Sequence, residues 1–171
     1  ESTATYDGTT LELTTAGGGL KLDDLDSSDA NTLDFYEEGL WTATLVATTS
    51  GSITVSTSFD SCAYIRIGRM VFIQGTIELA SVSSPVGTLR LGGIPFAQAG
   101  DLTDAADRGG GPSIGVAELS SAVEGIFMWG SPGSSEFDVL AGNGQTGYTS
   151  IANLVDGSTK FNLSGSYYAV A

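Results

Sequence analysis

The sequence has no histidine, one cysteine and only six basic residues in 171. Without histidine, catalytic triads that use it and zinc sites with histidine ligands are excluded. Cys62 has no second cysteine to pair with, so an intrachain disulfide is excluded too. No run of 18 apolar residues occurs, so we expect no membrane insertion through a spanning helix.

Negative charge is abundant and unevenly distributed. The net charge is -14 and the isoelectric point about 4.1, which opposes binding to nucleic acids. Ten of the 20 acidic residues lie in the first 38 residues with Lys21 as the one base, so that segment carries -9 and the rest -5. This step in charge predicts an extended acidic arm over residues 1–35 and a head domain over residues 36–171. The chain begins at Glu1 without methionine, as we expect of a fragment or a trimmed product.

The composition and periodicity predict an all-β fold. Glycine numbers 24, serine and threonine together 40, and the scarcity of Lys and Arg argues against a helical bundle. Strands at spacings of about ten residues, with turn signals between them, are typical of an antiparallel sandwich or barrel. The predicted strands of the head are residues 40–47, 53–59, 64–67, 70–79, 88–91, 114–116, 126–129, 137–140 and 161–170. Residues 119–123 are the one segment whose pattern could be mistaken for that of a short helix.

Two short alternating runs occur in the arm, over residues 9–14 and 19–23. Leucine recurs with period two in both, as in half-buried strands. An isolated hairpin is only marginally stable in water, so we expect the arm to gain stability from another chain. Disorder is the alternative, since the segment is acidic and rich in Gly, Ser and Thr.

Five motifs in the head resemble those of a known family. Residues 36–45 read Tyr-Glu-Glu-Gly-Leu-Trp-Thr-Ala-Thr-Leu and residues 64–71 read Tyr-Ile-Arg-Ile-Gly-Arg-Met-Val. They are followed by Phe-Ile-Gln-Gly-Thr-Ile (72–77), Leu-Gly-Gly-Ile-Pro-Phe (91–96) and Phe-Asn-Leu-Ser-Gly-Ser-Tyr-Tyr (161–168). Their order and spacing resemble the C-terminal head domains of bacteriophage tail fibres and tailspikes. Ala43 stands where that family often has proline, and Cys62 where glycine is usual.

The resemblance implies a fold, an assembly and a location. The fold is a jelly-roll-like antiparallel β-sandwich, assembled as an intertwined homotrimer at the distal tip of a tail fibre on the virion. The arm would connect it to the rest of the fibre. The implied function is non-enzymatic adhesion to a host cell-surface polysaccharide or outer-membrane protein. A structural knob that caps the fibre without touching a receptor is the alternative, and a small glycan hydrolase is a third, less favoured one.

Two aromatic residues beside polar, glycine-rich segments are candidates for glycan binding. Trp129 precedes Gly-Ser-Pro-Gly, and Tyr148 follows a run that contains Asn143 and Gln145. Aromatic rings stack on the apolar faces of sugars, while amides bond to their hydroxyls. The sequence therefore predicts a shallow glycan site at these four residues. A core position for either aromatic residue is the alternative.

A second candidate for receptor binding is the acidic segment that contains Asp101, Asp104 and Asp107. Carboxylates at such spacing could hold calcium, but the Asp-x-Asp-x-Asp-Gly pattern of calcium loops is absent. We therefore expect neither a metal nor another cofactor. Paired carboxylates could also hydrolyse glycosidic bonds, but abundance of acids alone does not indicate a pair at the required separation. We expect no catalytic residues.

Overall fold

The computed structural model describes residues 4–6, 11–13, 35–103, 111–142 and 147–170. β1 (Ala4–Tyr6) and β2 (Leu11–Leu13) form an antiparallel hairpin. The other strands are β3 (Tyr36–Thr42), β4 (Thr44–Ala47), β5 (Ser50–Val55), β6 (Ser61–Ile67), β7 (Met70–Val86), β8 (Leu89–Gly92), β9 (Ser113–Ala117), β10 (Ile126–Gly130), β11 (Phe137–Gly142), β12 (Tyr148–Ser150) and β13 (Lys160–Tyr168). A short 3-10 helix covers Ala152–Leu154.

Two antiparallel sheets form the head. The larger has the order β3-β6-β7-β13-β9, and β5 pairs with the far half of β7. The smaller has the order β10-β11-β8-β4. β8 pairs with the first half of β11, and β12 pairs with its second half. A single core lies between them, because alternate residues of both sheets point inward. The predicted all-β antiparallel sandwich is thus confirmed.

The core is aliphatic and aromatic, with contributions from both sheets. Its largest fully buried apolar side chains are Phe137, Phe161, Ile77, Leu89, Leu91, Met128 and Ile151. Trp41 packs into the same cluster, as expected for the first strand of the head. The Gly-Gly-Ile-Pro-Phe turn places Phe96 against Tyr64, with ring centroids 5.6 Å apart.

The chain changes sheets at Ala43. The run over residues 40–47 was predicted as one strand, but β3 pairs with β6 in the larger sheet and β4 pairs with β8 in the smaller. The N–H of Ala43 donates to the carbonyl oxygen of Asp60 at 2.7 Å. Proline has no N–H, so alanine provides a hydrogen bond here that proline could not.

Other boundaries also differ from those predicted. The strand expected over residues 53–59 ends at Val55, since the Phe59 N–H bonds back to the Ser56 carbonyl in a turn. β7 runs beyond the predicted residue 79 to Val86 because β5 pairs with its second half. Residues 119–123 contain no helix. In the arm, Leu11–Leu13 is a strand and pairs with Ala4–Tyr6, whereas residues 19–23 lie outside the described residues.

Candidate functional site

Trp129 and Tyr148, both predicted from sequence, lie in one cluster on the outward surface of the smaller sheet. Their ring centroids are 6.2 Å apart, and Phe127 approaches Tyr148 more closely, at 4.7 Å. Trp129 is 46% exposed and Tyr148 63%. The alternative of a core position is therefore wrong for both residues. We call Phe127, Trp129 and Tyr148 the aromatic cluster.

Strand pairing explains why these three side chains converge. Phe127 and Trp129 are two residues apart in β10, so they share a face, and Met128 between them points into the core. Tyr148 belongs to β12, on the other side of β11, where it pairs with Gly142. The rings of Phe127 and Tyr148 meet across β11 at an interplanar angle of 64°.

Charged side chains continue the surface next to Trp129. Asp138 pairs with Trp129 across β10 and β11, and Arg90 pairs with Asp138 across β11 and β8. The Arg90 Nε donates to Asp138 at 2.9 Å and its Nη1 donates to Glu136 at 3.2 Å. The hydrogen bond to Asp138 raises the pKa of Arg90 above its usual value. The three charges are thus held in fixed, partly exposed positions beside an aromatic surface.

A groove runs from the aromatic cluster along the seam where the edge strands β9 and β10 meet. Near the cluster it has a volume of about 480 Å³, with Ser113 and Trp129 among its lining residues. A second depression shares Ile114 and Ile126 with it and continues toward Ser121. The two depressions adjoin each other at these shared residues.

Of the other predicted site residues, the structure describes only Asp101, which lies apart from the aromatic cluster. Asp101 forms an ion pair with Arg69, which is held in the β6–β7 turn by a bond from its Nε to the Ala169 carbonyl. The hydrogen bond from Arg69 lowers the pKa of Asp101. Asp101 therefore ties down a loop of the scaffold. Asn143, Gln145, Asp104 and Asp107 lie outside the described residues.

Three residues of this surface were not predicted from the sequence: Phe127, Asp138 and Arg90. Period-two alternation in β10 could have placed Phe127 beside Trp129. The two charged residues could not be found in that way, because their place beside Trp129 depends on the pairing of β10, β11 and β8. Strand order is a long-range property that no local pattern in these segments encodes.

Two classes of feature are not found in the described ranges. No group of three or more Cys, Asp or Glu side chains is placed there to share a metal ion. The described ranges also contain no helix that is long and apolar enough to span a membrane. The chemistry that the site offers is stacking, hydrogen bonding and local charge.

Comparison with known proteins gives a likeness of fold. No protein-family profile matches the sequence, and no curated protein sequence matches it either. The crystal structure of Dettilon tailspike protein (gp208) is similar, with a TM-score of 0.64 and 20% sequence identity. The match covers 78% of this chain and 24% of that one, so the chain spans about a quarter of the tailspike's length. The chain thus shares the fold of part of a tailspike protein.

Proposed function

We propose that this chain is the adhesive head of a bacteriophage tail protein and binds a polysaccharide of the host cell surface. The observation that carries the proposal is the exposed aromatic cluster, with two rings 6.2 Å apart and a fixed Arg90–Asp138 pair alongside. The fold shared with part of a tailspike supports the placement in a phage tail. The distal tip of a tail fibre is the proposed location on the virion.

The cluster suits a sugar chain for three reasons. Exposed aromatic rings stack on the apolar faces of pyranose rings, and a stacked ring contributes about 1 kcal/mol beyond the apolar area that it buries. Asp138 can accept hydrogen bonds from sugar hydroxyls, while Arg90 can donate to them or to an acidic sugar. The groove along the β9–β10 seam provides room for further sugar units. An extended polysaccharide thus fits this surface better than a folded outer-membrane protein, the other partner that the resemblance implies.

Adhesion without catalysis is part of the proposal. In the described part of the chain, Asp138 is the carboxylate that pairs with Trp129 across the strands, and Arg90 bridges it to the carboxylate of Glu136. Bonded to one guanidinium, they are placed to hold charge in position rather than to exchange protons with a glycosidic oxygen. We further propose that the chain assembles as a homotrimer, with the acidic arm leading to the rest of the fibre.

Attachment of the labelled protein to a panel of bacteria, and to polysaccharide extracted from those it binds, tests the proposed function. Trp129→Ala and Tyr148→Ala should each weaken attachment roughly tenfold or more. Phe59→Ala is the matched control, since Phe59 is an exposed aromatic residue in the β5–β6 turn. It should leave attachment unchanged.

Three outcomes would contradict the proposal. If no bacterium is bound, the chain is a structural knob. If both substitutions at the cluster leave attachment at the wild-type level, the receptor contacts another surface. If the purified protein releases reducing sugar from the extracted polysaccharide, the chain is a hydrolase and the non-enzymatic part of the proposal is wrong.

A further inference from the structure

The outward surface of the larger sheet carries a contiguous set of exposed apolar side chains at its β3 end. Strand pairing places them in neighbouring rows across β3, β6, β7 and β13. The set, which we call the outer apolar face, consists of Tyr36, Leu40, Ile65, Ile67, Phe72 and Tyr168. Leu40, in the edge strand β3, is 73% exposed.

In β6, aliphatic side chains point outward and a charged side chain points inward, which is the reverse of the pattern in a sheet with one face in solvent. Ile65 and Ile67 point outward, whereas Arg66 points inward and is only 8% exposed. Its guanidinium carbon lies 4.1 Å from the ring centroid of Phe35 and 4.5 Å from that of Phe96. Antiparallel sheets with one wet face normally keep the aliphatic residues in and the charged residues out. Apolar residues on both faces of β6 indicate that both are covered.

The size of the outer apolar face matches that of a protein contact. Large apolar side chains offer roughly 150–250 Å² each, and about half of each of the six is exposed, which gives on the order of 500 Å². Patches of that size on monomers are often functional. A specific interface buries about 800 Å² per partner, of which about 65% is apolar in homodimers. The outer apolar face therefore provides about the apolar area that one copy contributes to a stable contact.

Charge indicates which occupant fits. The outer apolar face contains no cation, and its one carboxylate within the rows, Glu38, accepts a hydrogen bond from Tyr36. The chain's own residues 23–34 are the nearest segment in sequence, but they hold five aspartates and two leucines, too few apolar groups to cover it. A second copy brings a matching apolar surface and few additional charges, so it fits best.

We propose that the outer apolar face is the surface through which copies of this chain associate. This inference rests on the self-association contained in the proposed function, and it assigns that association to a face opposite the core from the aromatic cluster. In the assembly, Leu40 and Phe72 are buried against a neighbouring copy, while the aromatic cluster stays open for its ligand.

Mass measurement in solution across the micromolar range tests the assignment. We expect the wild type to be oligomeric, and Phe72→Thr or Ile65→Thr to raise the dissociation concentration roughly tenfold or more. Threonine keeps the strand propensity of these positions. The matched control is Val46→Thr, since Val46 is an exposed aliphatic residue on the outward surface of the smaller sheet.

The results of these measurements distinguish a failure of self-association from a failure of glycan binding. A wild type that is monomeric throughout the range overturns the inference, as do variants that associate as the wild type does. If a β7 variant loses its near-ultraviolet circular dichroism, Leu40→Ser at the exposed edge replaces it and must weaken association. Trp129→Ala should weaken polysaccharide binding roughly tenfold or more and leave the mass unchanged, so failure at one surface does not imply failure at the other.

Discussion

Gly75 of β7 packs directly against the side chain of Cys62 in β6. A Cβ at position 75 would overlap the Cys62 sulfur and lie 2.8 Å from the Cys62 Cβ. β7 pairs with β13 through Gly75 without a register shift, so this glycine marks close packing against Cys62. The cysteine that stands where related motifs have glycine is thus accommodated by a glycine across the sheet.

Gly75→Ala should destabilise the fold by about 1–3 kcal/mol, because the added methyl group has no room beside Cys62. Denaturant unfolding measures the change. The control is Gly115→Ala in β9, where an added Cβ would meet only the Asn162 Cβ at 4.0 Å. Adding Cys62→Ala to Gly75→Ala should recover part of the loss. Additive effects of the two substitutions would contradict this packing.

Cys62 should be unreactive in the folded protein. Burial, with a smaller contribution from the charge of the nearby Asp60, raises the pKa of its thiol to about 11. The thiolate is the reactive form, so a thiol reagent at pH 8 should label Cys62 only after urea unfolds the chain. In a Cys62→Ser background, Ser61→Cys supplies an exposed thiol in the neighbouring position that should react at once. Rapid labelling of native Cys62 would contradict its burial.

Stability should fall above pH 10 through Tyr167. Burial raises the pKa of this phenol from 10.0 to about 12, and its hydroxyl donates to the Phe96 carbonyl at 2.9 Å. Because the folded pKa lies above the unfolded one, the unfolded chain loses its proton first. The stabilisation is therefore complete below pH 10 and is lost between pH 10 and 12, about 2–3 kcal/mol in all.

The difference between wild type and Tyr167→Phe isolates this effect. The variant should start less stable by about 1 kcal/mol, from the lost hydrogen bond, and then decline less steeply above pH 10. Parallel pH profiles for wild type and Tyr167→Phe would show that Tyr167 does not titrate in this range.

The sequence was sufficient to predict the class of fold, because the alternation of β13 and the turn signals between short strands are local features. It could not predict the change of sheets at Ala43, since residues 40–47 alternate without interruption. It also could not tell which side of β6 faces the core. Both sides carry large residues, and the packing of Arg66 between two distant aromatic rings decides the orientation.

Two residues of the candidate site could be predicted from sequence. Trp129 and Tyr148 stood out by residue type and by their glycine-rich neighbours. Their meeting required β12, a three-residue strand that follows a Gly-rich run and has no periodic signal of its own. The ion pair beside them required the order β10-β11-β8, which long-range pairing alone determines.

Stacking by Tyr148 can be separated from hydrogen bonding by its hydroxyl group. If the ring stacks on a sugar, Tyr148→Phe should retain polysaccharide affinity within about twofold, whereas Tyr148→Ala should lose roughly tenfold. Equilibrium binding to the extracted polysaccharide measures both variants. A tenfold loss with phenylalanine would assign the main contribution to the hydroxyl group and contradict the stacking role.

Acrylamide quenching of tryptophan fluorescence tests the glycan site most directly. The chain has two tryptophans, and Trp129 is 46% exposed while Trp41 is 5% exposed, so the quenchable signal belongs to Trp129. Saturating polysaccharide from a bacterium that the protein binds should protect this signal and leave only the weak quenching of Trp41. Unchanged quenching in the saturated complex would show that Trp129 does not contact the glycan.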